Sequence, residues 1–430
     1  MSVEGWESVQ LGEVVTLHYG KALPRDERSP QGAIPVYGAN GVKDYSDRSH
    51  FCGPSLIVGR KGSAGEVTRV DGPFWPLDVA YYTTHDRDRL DFDFLEYALS
   101  ILNLPSMARG VKPGINRNDV YATSIPLPPL EDQRRIVGTL DEAFAGLARV
   151  RANAEANLAD ARDFFRNALR DVFRNDGQSW QTDATPDRLA EMEAARPKAR
   201  SKATTSTGGR GATLRPIPGP YSLAVLKPDL EPRKGWQWSP LTALARLESG
   251  HTPSRKRPEY WGGDVPWIGI KDARDHHGAT INETLENTNE IGIANSSARV
   301  LPAGTVCLSR TASVGYVTVM GRDMATSQDF VNWVCGNALL PEFLKLLLLA
   351  QGDDIRAFAS GSVHQTIYFP EVKAFHICHP PIEVQEKICA AMSRVSVEAA
   401  SLIERYEAKI ADIDDLRQSL LQKAFSGGLS

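Results

Sequence analysis

Two long, matching stretches limit what this chain can become. The first begins Leu130-Glu-Asp-Gln-Arg-Arg-Ile136 after Pro128-Pro129, and the second begins Ile382-Glu-Val-Gln-Glu-Lys-Ile388 after Pro380-Pro381. Laying Ile125 on Ile377 gives an offset of 252, which without interruption also lays Gln133 on Gln385, Ile136 on Ile388, Leu140 on Met392 and Phe173 on Phe425. The chain is a tandem duplication.

Each stretch has the pattern of one long helix. Apolar residues recur at Ile136, Leu140, Phe144, Leu147, Ala154, Leu158, Ala161, Phe165, Leu169 and Val172, steps of threes and fours that hold one face. The second copy repeats the rhythm through Ile388, Met392, Val395, Ala399, Leu402, Tyr406, Ile410, Ile413, Leu416 and Leu420. Proline suits a helix start, where backbone N–H groups have no helical partner, and carboxylates suit its positive end. Gly427-Gly428 stops the second copy. At about 1.5 Å per residue each rod would be roughly 64 Å long. A narrow apolar stripe of that length needs a partner helix, and the nearest is the other copy.

Composition excludes several classes. At 430 residues the chain has room for two or three domains. No apolar run approaches the roughly 20 residues that span a bilayer, and Met1-Ser-Val-Glu-Gly-Trp6 has no secretory character, so a cytoplasmic protein is expected. Five scattered cysteines without a Cys-x-x-Cys pair imply reduced thiols. His376-Ile-Cys378-His379 resembles a metal cluster only superficially, because the first copy has Ser124, Pro126 and Leu127 at the matching positions. A net charge of −4 argues mildly against a free-standing nucleic-acid binder without excluding one.

The expected fold class is α+β, with two α/β globules each followed by a long helix. The boundaries are residues 1–129 for the first globule, 130–174 for its helix, 235–381 for the second globule and 382–426 for its helix. Residues 175–234 are rich in Ala, Thr, Gly, Pro and Arg and are expected to form a partly disordered linker. Val9 to Thr16 suits a strand or a short helix, and Ala298 to Arg310 suits a strand pair.

The motifs of catalysis are missing. There is no Gly-x-x-x-x-Gly-Lys-Ser/Thr loop, no Gly-x-Ser-x-Gly, no His-Glu-x-x-His and no zinc spacing. Neither diproline follows the Asp or Asn of an amino-methyltransferase motif. What the chain does have is a glycine-rich loop carrying bases and hydroxyls, Gly59-Arg-Lys-Gly-Ser-Ala-Gly65, answered at an offset of 250 by Ser309-Arg-Thr-Ala-Ser-Val-Gly315. Glycines let backbone approach a duplex, N–H groups meet phosphates, and Arg or Lys adds charge and base contacts. Arg60, Lys61 and Ser63, and Arg310, Thr311 and Ser313, are therefore candidate DNA contacts. The alternative is a tight turn with solvated bases, and recurrence in both copies favours contact. Tyr37, Asn40 and Lys43, with Tyr45, sit at strand ends in the first globule, as do Trp267, Lys271 and Asp272 in the second; Asn and Lys there are candidates to read base edges, while Tyr and Trp suit core and DNA contact equally. Arg109, Lys112 and Asn116 form another polar cluster, answered by His364 and Gln365.

Together these residues resemble the specificity subunit of type I restriction-modification systems over almost the whole chain. The resemblance is carried by Gly235-Trp-Gln-Trp238, by Ser249-Gly-His-Thr-Pro-Ser-Arg-Lys-Arg-Pro-Glu-Tyr-Trp-Gly-Gly-Asp264 with Val265-Pro-Trp-Ile268, by Ile34-Pro-Val-Tyr-Gly-Ala-Asn-Gly41, and by the twin Pro-Pro-x-x-x-Gln-x-x-Ile helix starts. It implies two target-recognition domains, each binding half of a bipartite double-stranded DNA site. It also implies long helices that pair as an antiparallel coiled coil, space the half-sites and dock two methyltransferase subunits. Gln133, Arg134, Ile136, Gln385, Lys387 and Ile388 are the expected docking residues. This chain would be non-catalytic and carry no cofactor or metal. S-adenosylmethionine, ATP and Mg2+ would be bound by the methyltransferase and restriction/translocase partners. The competing expectation is a coiled-coil adaptor whose globules bind proteins.

Overall fold

Leu130–Phe173 and Ile382–Phe425 are each an unbroken helix of 44 residues. The computed structural model describes residues 6–174, 180, 217, 222–359 and 365–428. The apolar stripe is the buried face: Ile136, Leu140, Ala154, Leu158, Ala161, Leu169 and Val172 are buried along the first helix, and Ile388, Met392, Ala399 and Ile413 along the second. Leu416 departs from the expectation and is 49% exposed. Arg417, four residues after Ile413, is also exposed, with its guanidinium 4.9 Å from the Phe144 ring centre, and Leu421 continues the buried seam.

Contacts divide the chain into two units, and each unit contains part of both helices. Met1–Asn157 and Arg405–Ser430 form one, and Leu158–Glu404 the other. In the first unit the start of one helix meets the end of the other. Leu140 is buried in a core with Leu421 and Ala424, while Arg151, further along the first helix, pairs with Asp414, further back on the second. Increasing numbers on one helix thus meet decreasing numbers on the other, an antiparallel pairing. In the second unit Leu169, Val172 and Phe173 share a core with Ile388 and Met392.

The first unit's globule is built on two four-stranded sheets. Val15–Tyr19, Ala80–His85, Ser55–Gly59 and Val67–Val70 lie side by side in that order, all antiparallel. Gly41–Ser46, Ile34–Gly38, Pro73–Pro76 and Phe51–Cys52 form the other, in which Ile34–Gly38 and Pro73–Pro76 run parallel. Glu7–Gln10 pairs with Ser124–Leu127, the strand that leads into the long helix. Val9 to Thr16 combines both expected forms, since a helical turn at Leu11–Val14 separates two strands.

The second unit's globule has a five-stranded sheet ordered Ala245–Ser249, Phe330–Cys335, Val306–Ser309, Val317–Met320 and Thr280–Ile281. A three-stranded sheet of Glu286–Thr288, Trp261–Ile268 and Ala325–Thr326 accompanies it. Two expectations need correcting here. Ala298 to Arg310 contributes one strand, Val306–Ser309, because the peptide near Leu301 makes only an isolated bridge to Met324. The segment taken as linker is structured from Ser222 onward: Leu223–Val225 is an edge strand on Phe375–His379, and all three of its residues are buried. Ser222 Oγ donates to Phe173 O (2.8 Å) and Arg233 Nη1 to Val172 O (2.6 Å). A hydroxyl and a cation thereby satisfy carbonyls at the negative end of the first long helix. The rest of the expected linker lies outside the described residues, apart from Trp180 and Ile217.

Candidate nucleic-acid interface

The glycine-rich loop has the same backbone frame in both globules. Gly59 N donates to Glu66 O, Gly65 N to Gly59 O, and Arg60 N to Val79 O, each at 2.8 Å. The second loop repeats these as Ser309 N to Tyr316 O (2.8 Å), Gly315 N to Ser309 O (3.0 Å) and Arg310 N to Asp329 O (2.8 Å). A fourth bond ties a distant loop to each, from Ile115 N to Arg60 O (3.0 Å) and from Ile367 N to Arg310 O (2.9 Å). The turn needs a left-handed residue. Gly62 supplies it at φ 83° and Ala312 at φ 62°, the latter at a steric cost that glycine avoids.

In the first globule this frame gathers three candidate segments. Gly59 lies against the turn between Ile34–Gly38 and Gly41–Ser46, close enough that a Cβ there would sit 2.5 Å from Ala39 O. Gly62 N donates to Pro113 O (2.9 Å), and Arg109 and Gly114 exchange backbone bonds of 3.0 Å. Asn40, Lys43, Lys61, Arg109 and Lys112 are all exposed around this junction, with Arg60 and Ser63 partly so. Among the described residues none of those lysines and arginines makes an ion pair. Tyr37 takes the core side of its two expected roles in part. Its ring packs edge-on to Phe74 at 6.1 Å, and burial, then the neighbouring Tyr45, raises its phenol above the usual range. It is partly a core residue.

Sequence reasoning missed Tyr19 and Arg117. Tyr19 is half exposed, and the guanidiniums of Arg60 and Arg117 lie 5.0 and 5.1 Å from its ring centre. Arg60 Nη1 also donates to Asp78 O (2.7 Å), so the side chain is held in place. The adjacent His18 is kept below its ordinary pKa by burial and then by Arg117. Gly20 and Gly250 occupy the same tight place in the two globules, where a Cβ would lie about 2 Å from Leu77 O and Ser327 O respectively, but their offset of 230 falls outside the repeat register legible in the sequence. Laying one on the other puts Tyr19 at a loop junction.

The second globule brings comparable segments together with different side chains. Thr311 Oγ1 donates to Asp329 Oδ1 (2.6 Å), and Ser327 Oγ to Asp329 Oδ2 (2.9 Å). Arg310 is half-buried and turned back on the backbone, its nearest acceptors being Gln328 O at 3.4 Å and Ile367 O at 3.5 Å. Ser313 is partly exposed, its carbonyl accepting from Ser309 Oγ. Gln365 is exposed beside Ile367, and His364 lies outside the described residues. Ser327 N donates to Ile268 O (3.0 Å), bringing the start of the short helix Ile270–Asp275, with exposed Lys271, beside the Ser327–Asp329 turn.

Trp267 and Asp272 are structural residues. Trp267 is buried, and Asp272 accepts from Gly269 N and Leu285 N, each at 2.8 Å. Arg255 was missed by sequence reasoning although it lies in a visible basic run. Its guanidinium sits 4.0 Å from the Trp261 ring centre and is bidentate to Glu286, whose carboxyl is held below its usual pKa by that pair.

The expected docking residues separate into two groups. Arg134 and Lys387 are exposed, whereas Gln133, Ile136, Gln385 and Ile388 are almost fully buried, so those four belong to the join between helix and globule. His379 Nε2 lies 3.0 Å from Ser239 Oγ inside a sheet, and among the described residues no group of three or more His, Cys, Asp or Glu side chains could hold a metal ion. No described helix is long and apolar enough to cross a membrane.

With this geometry in view, three comparisons bear on kinship. The profile of a family described as "Type I restriction modification DNA specificity domain" matches residues 3–156 and 233–411. The MjaIX specificity subunit of Methanocaldococcus jannaschii is 30% identical over 162 residues, 37% of this chain and 38% of that protein. The HindI specificity subunit of Haemophilus influenzae is 25% identical over 264 residues, 56% of this chain and 54% of its own length. The alignments therefore span between about a third and just over half of these relatives. The HsdS subunit from Thermoanaerobacter tengcongensis shares the fold at a TM-score of 0.57 and 19% identity, over 99% of this chain and 98% of that one. A chain from a structural study of type I R-M system assembly does so at a TM-score of 0.68, with the same identity and coverage.

Proposed function

Since the chain belongs to the type I restriction modification DNA specificity family, we propose that its two globules are readers, each binding one half of a bipartite site in double-stranded DNA. The observation that carries this is the repeated loop frame with unlike side chains. One frame with two chemistries suits two half-sites of different sequence. In the first reader, exposed Lys61, Arg109 and Lys112 meet phosphates, while Asn40, Lys43, Arg60 and Ser63 face the duplex. In the second, Lys271, Ser313 and Gln365 do so, with Gln365 suited to adenine, while Arg310 and Thr311 are held by Gln328, Ile367 and Asp329 and shape the loop. Tyr19 and Arg255 join the two sets as held, partly exposed side chains.

The long helices act as spacers and as the docking surface for methyltransferase subunits, two per chain by the duplication. Arg134 and Lys387 lie on that surface, with Phe164 (43% exposed) and Val397 (69% exposed) as apolar contacts on otherwise charged faces. The chain reads and its partners react: S-adenosylmethionine-dependent methylation, and any ATP- and Mg2+-dependent translocation and cleavage, belong to other subunits. The test is selection of bound duplexes from a random pool by the chain purified with its methyltransferase subunits. Two short elements at a fixed separation are expected, with binding that weakens steeply as salt rises. A single undivided element contradicts the reading, and co-purification without any enrichment of DNA favours the adaptor alternative.

A further inference from the structure

We propose that Gln133 and Gln385 are positioning residues that set the angle of each reader about its long helix, and so hold the half-site separation to one value. The inference rests on the two-reader function above. Gln133 is in the first turn of its helix and is fully buried. Its Oε1 accepts from Asp91 N (2.8 Å), and its Nε2 donates to Arg89 O (2.8 Å) and Pro128 O (2.7 Å). Gln385, equally buried, repeats the set, accepting from Leu340 N and donating to Ala338 O and Pro380 O, each at 3.0 Å. Asp91 and Leu340 begin the reader helices Phe92–Ile101 and Pro341–Ala350. One planar amide therefore joins the start of a reader helix, the loop before it and the diproline that opens the rod.

The chemistry singles out glutamine. The set needs one acceptor and two donors on one flat group, which only a carboxamide provides. Asparagine has the group but is one methylene short. Glutamate would turn an oxygen toward two carbonyls. The orientation of the amide is fixed by the same logic, because the flipped form puts NH2 against a backbone N–H. Around it, Leu90, Phe94, Ile136 and Leu140 in one copy, and Leu339, Phe343, Ile388 and Met392 in the other, supply adhesion. Apolar packing tolerates small rotations before it loses stability, whereas a satisfied buried polar network specifies one arrangement.

The test uses the full chain expressed with its methyltransferase subunits and reads N6-methyladenine across the host genome. Gln133→Met with Gln385→Met keeps side-chain length and removes every bond of both sets. The expected result is unchanged half-sites, with methylation spreading to spacers one base pair longer and shorter as discrimination falls by about tenfold or more. Loss of fold alone would lower methylation without altering spacer choice. A soluble double variant that keeps the wild-type spacer overturns the proposal. Should the wild-type chain give no split motif, the two-reader reading is what fails. Amide hydrogen exchange on the unmodified chain adds a check independent of variant folding: the Asp91 and Leu340 N–H groups should exchange slowly, and rapid exchange at either overturns the clamp.

Discussion

Phe173→Ala should be among the most damaging single substitutions in this chain, because it removes the plug with which the end of the first long helix fills the second globule. Phe173 is completely buried and lies 5.3 Å from Phe343 at 60°, in the core that also holds Trp236. Truncating a buried phenylalanine costs about 3–5 kcal/mol through lost transfer energy and the cavity left behind, and the edge-on ring pair adds roughly 0.5–1.5 kcal/mol. For a unit of this size each kcal/mol moves the midpoint by about 2–4 °C, so a fall of roughly 7–26 °C is expected. Intrinsic fluorescence is the assay, since Trp180, Trp236, Trp238, Trp261, Trp267 and Trp333 lie in the second unit and only Trp6 and Trp75 in the first. The matched position gives an internal control. Phe425 stacks on Phe94 at 4.7 Å but is only half-buried, so Phe425→Ala should cost about half as much and act on the first unit. A Phe173→Ala midpoint within about 2 °C of wild type, or a larger loss from Phe425→Ala, would refute the reasoning.

Three other consequences follow from particular residues. Lys61→Ala should weaken DNA binding similarly across sequences and reduce the magnitude of the log–log salt slope by about 1, read by fluorescence anisotropy over a salt series. Ala312→Gly relieves a left-handed alanine and should stabilise the second unit by about 0.5–1 kcal/mol in a denaturant titration, with the loop frame unchanged. Thiol titration at pH 8 should label exposed Cys52 promptly and the other four cysteines only on unfolding, because burial pushes Cys335, Cys378 and Cys389 up to about 12 and Cys307 higher still. Raising the pH to 9 should not add a second fast thiol, since a thiol at that pKa stays almost wholly protonated.

The sequence makes the fold class legible because its main signal is periodic and repeated. Ile136, Leu140 and Leu169 mark a helix face by spacing alone, and duplication supplies the partner. The loop frame at Gly59 to Gly65 is legible for a similar reason, being local and present twice. What the sequence hides is pairing between distant residues. Gln133 in a charged helix start looks like a surface residue, and nothing near it announces a partner 42 positions away at Asp91. Arg310 looks like a free cation until the Gln328 and Ile367 carbonyls fold around it, and Leu416 belongs to the stripe by count but is half exposed beside Arg417, whose guanidinium lies over the Phe144 ring. Leu223–Val225 is too short to stand out in a polar tract and becomes a strand only because Phe375–His379 offers an open edge.

The claim that two independent readers share one frame is tested most directly by mapping N6-methyladenine in cells carrying the chain and its methyltransferase subunits, first as wild type and then with Asn40→Ala and Lys43→Ala together, the exposed side chains assigned to base edges of one half. The account predicts one split motif with a fixed spacer in the wild type, and in the variant weaker or relaxed recognition of one half while the other half and the spacer stay as they were. An undivided motif, or two halves that change together, would contradict it.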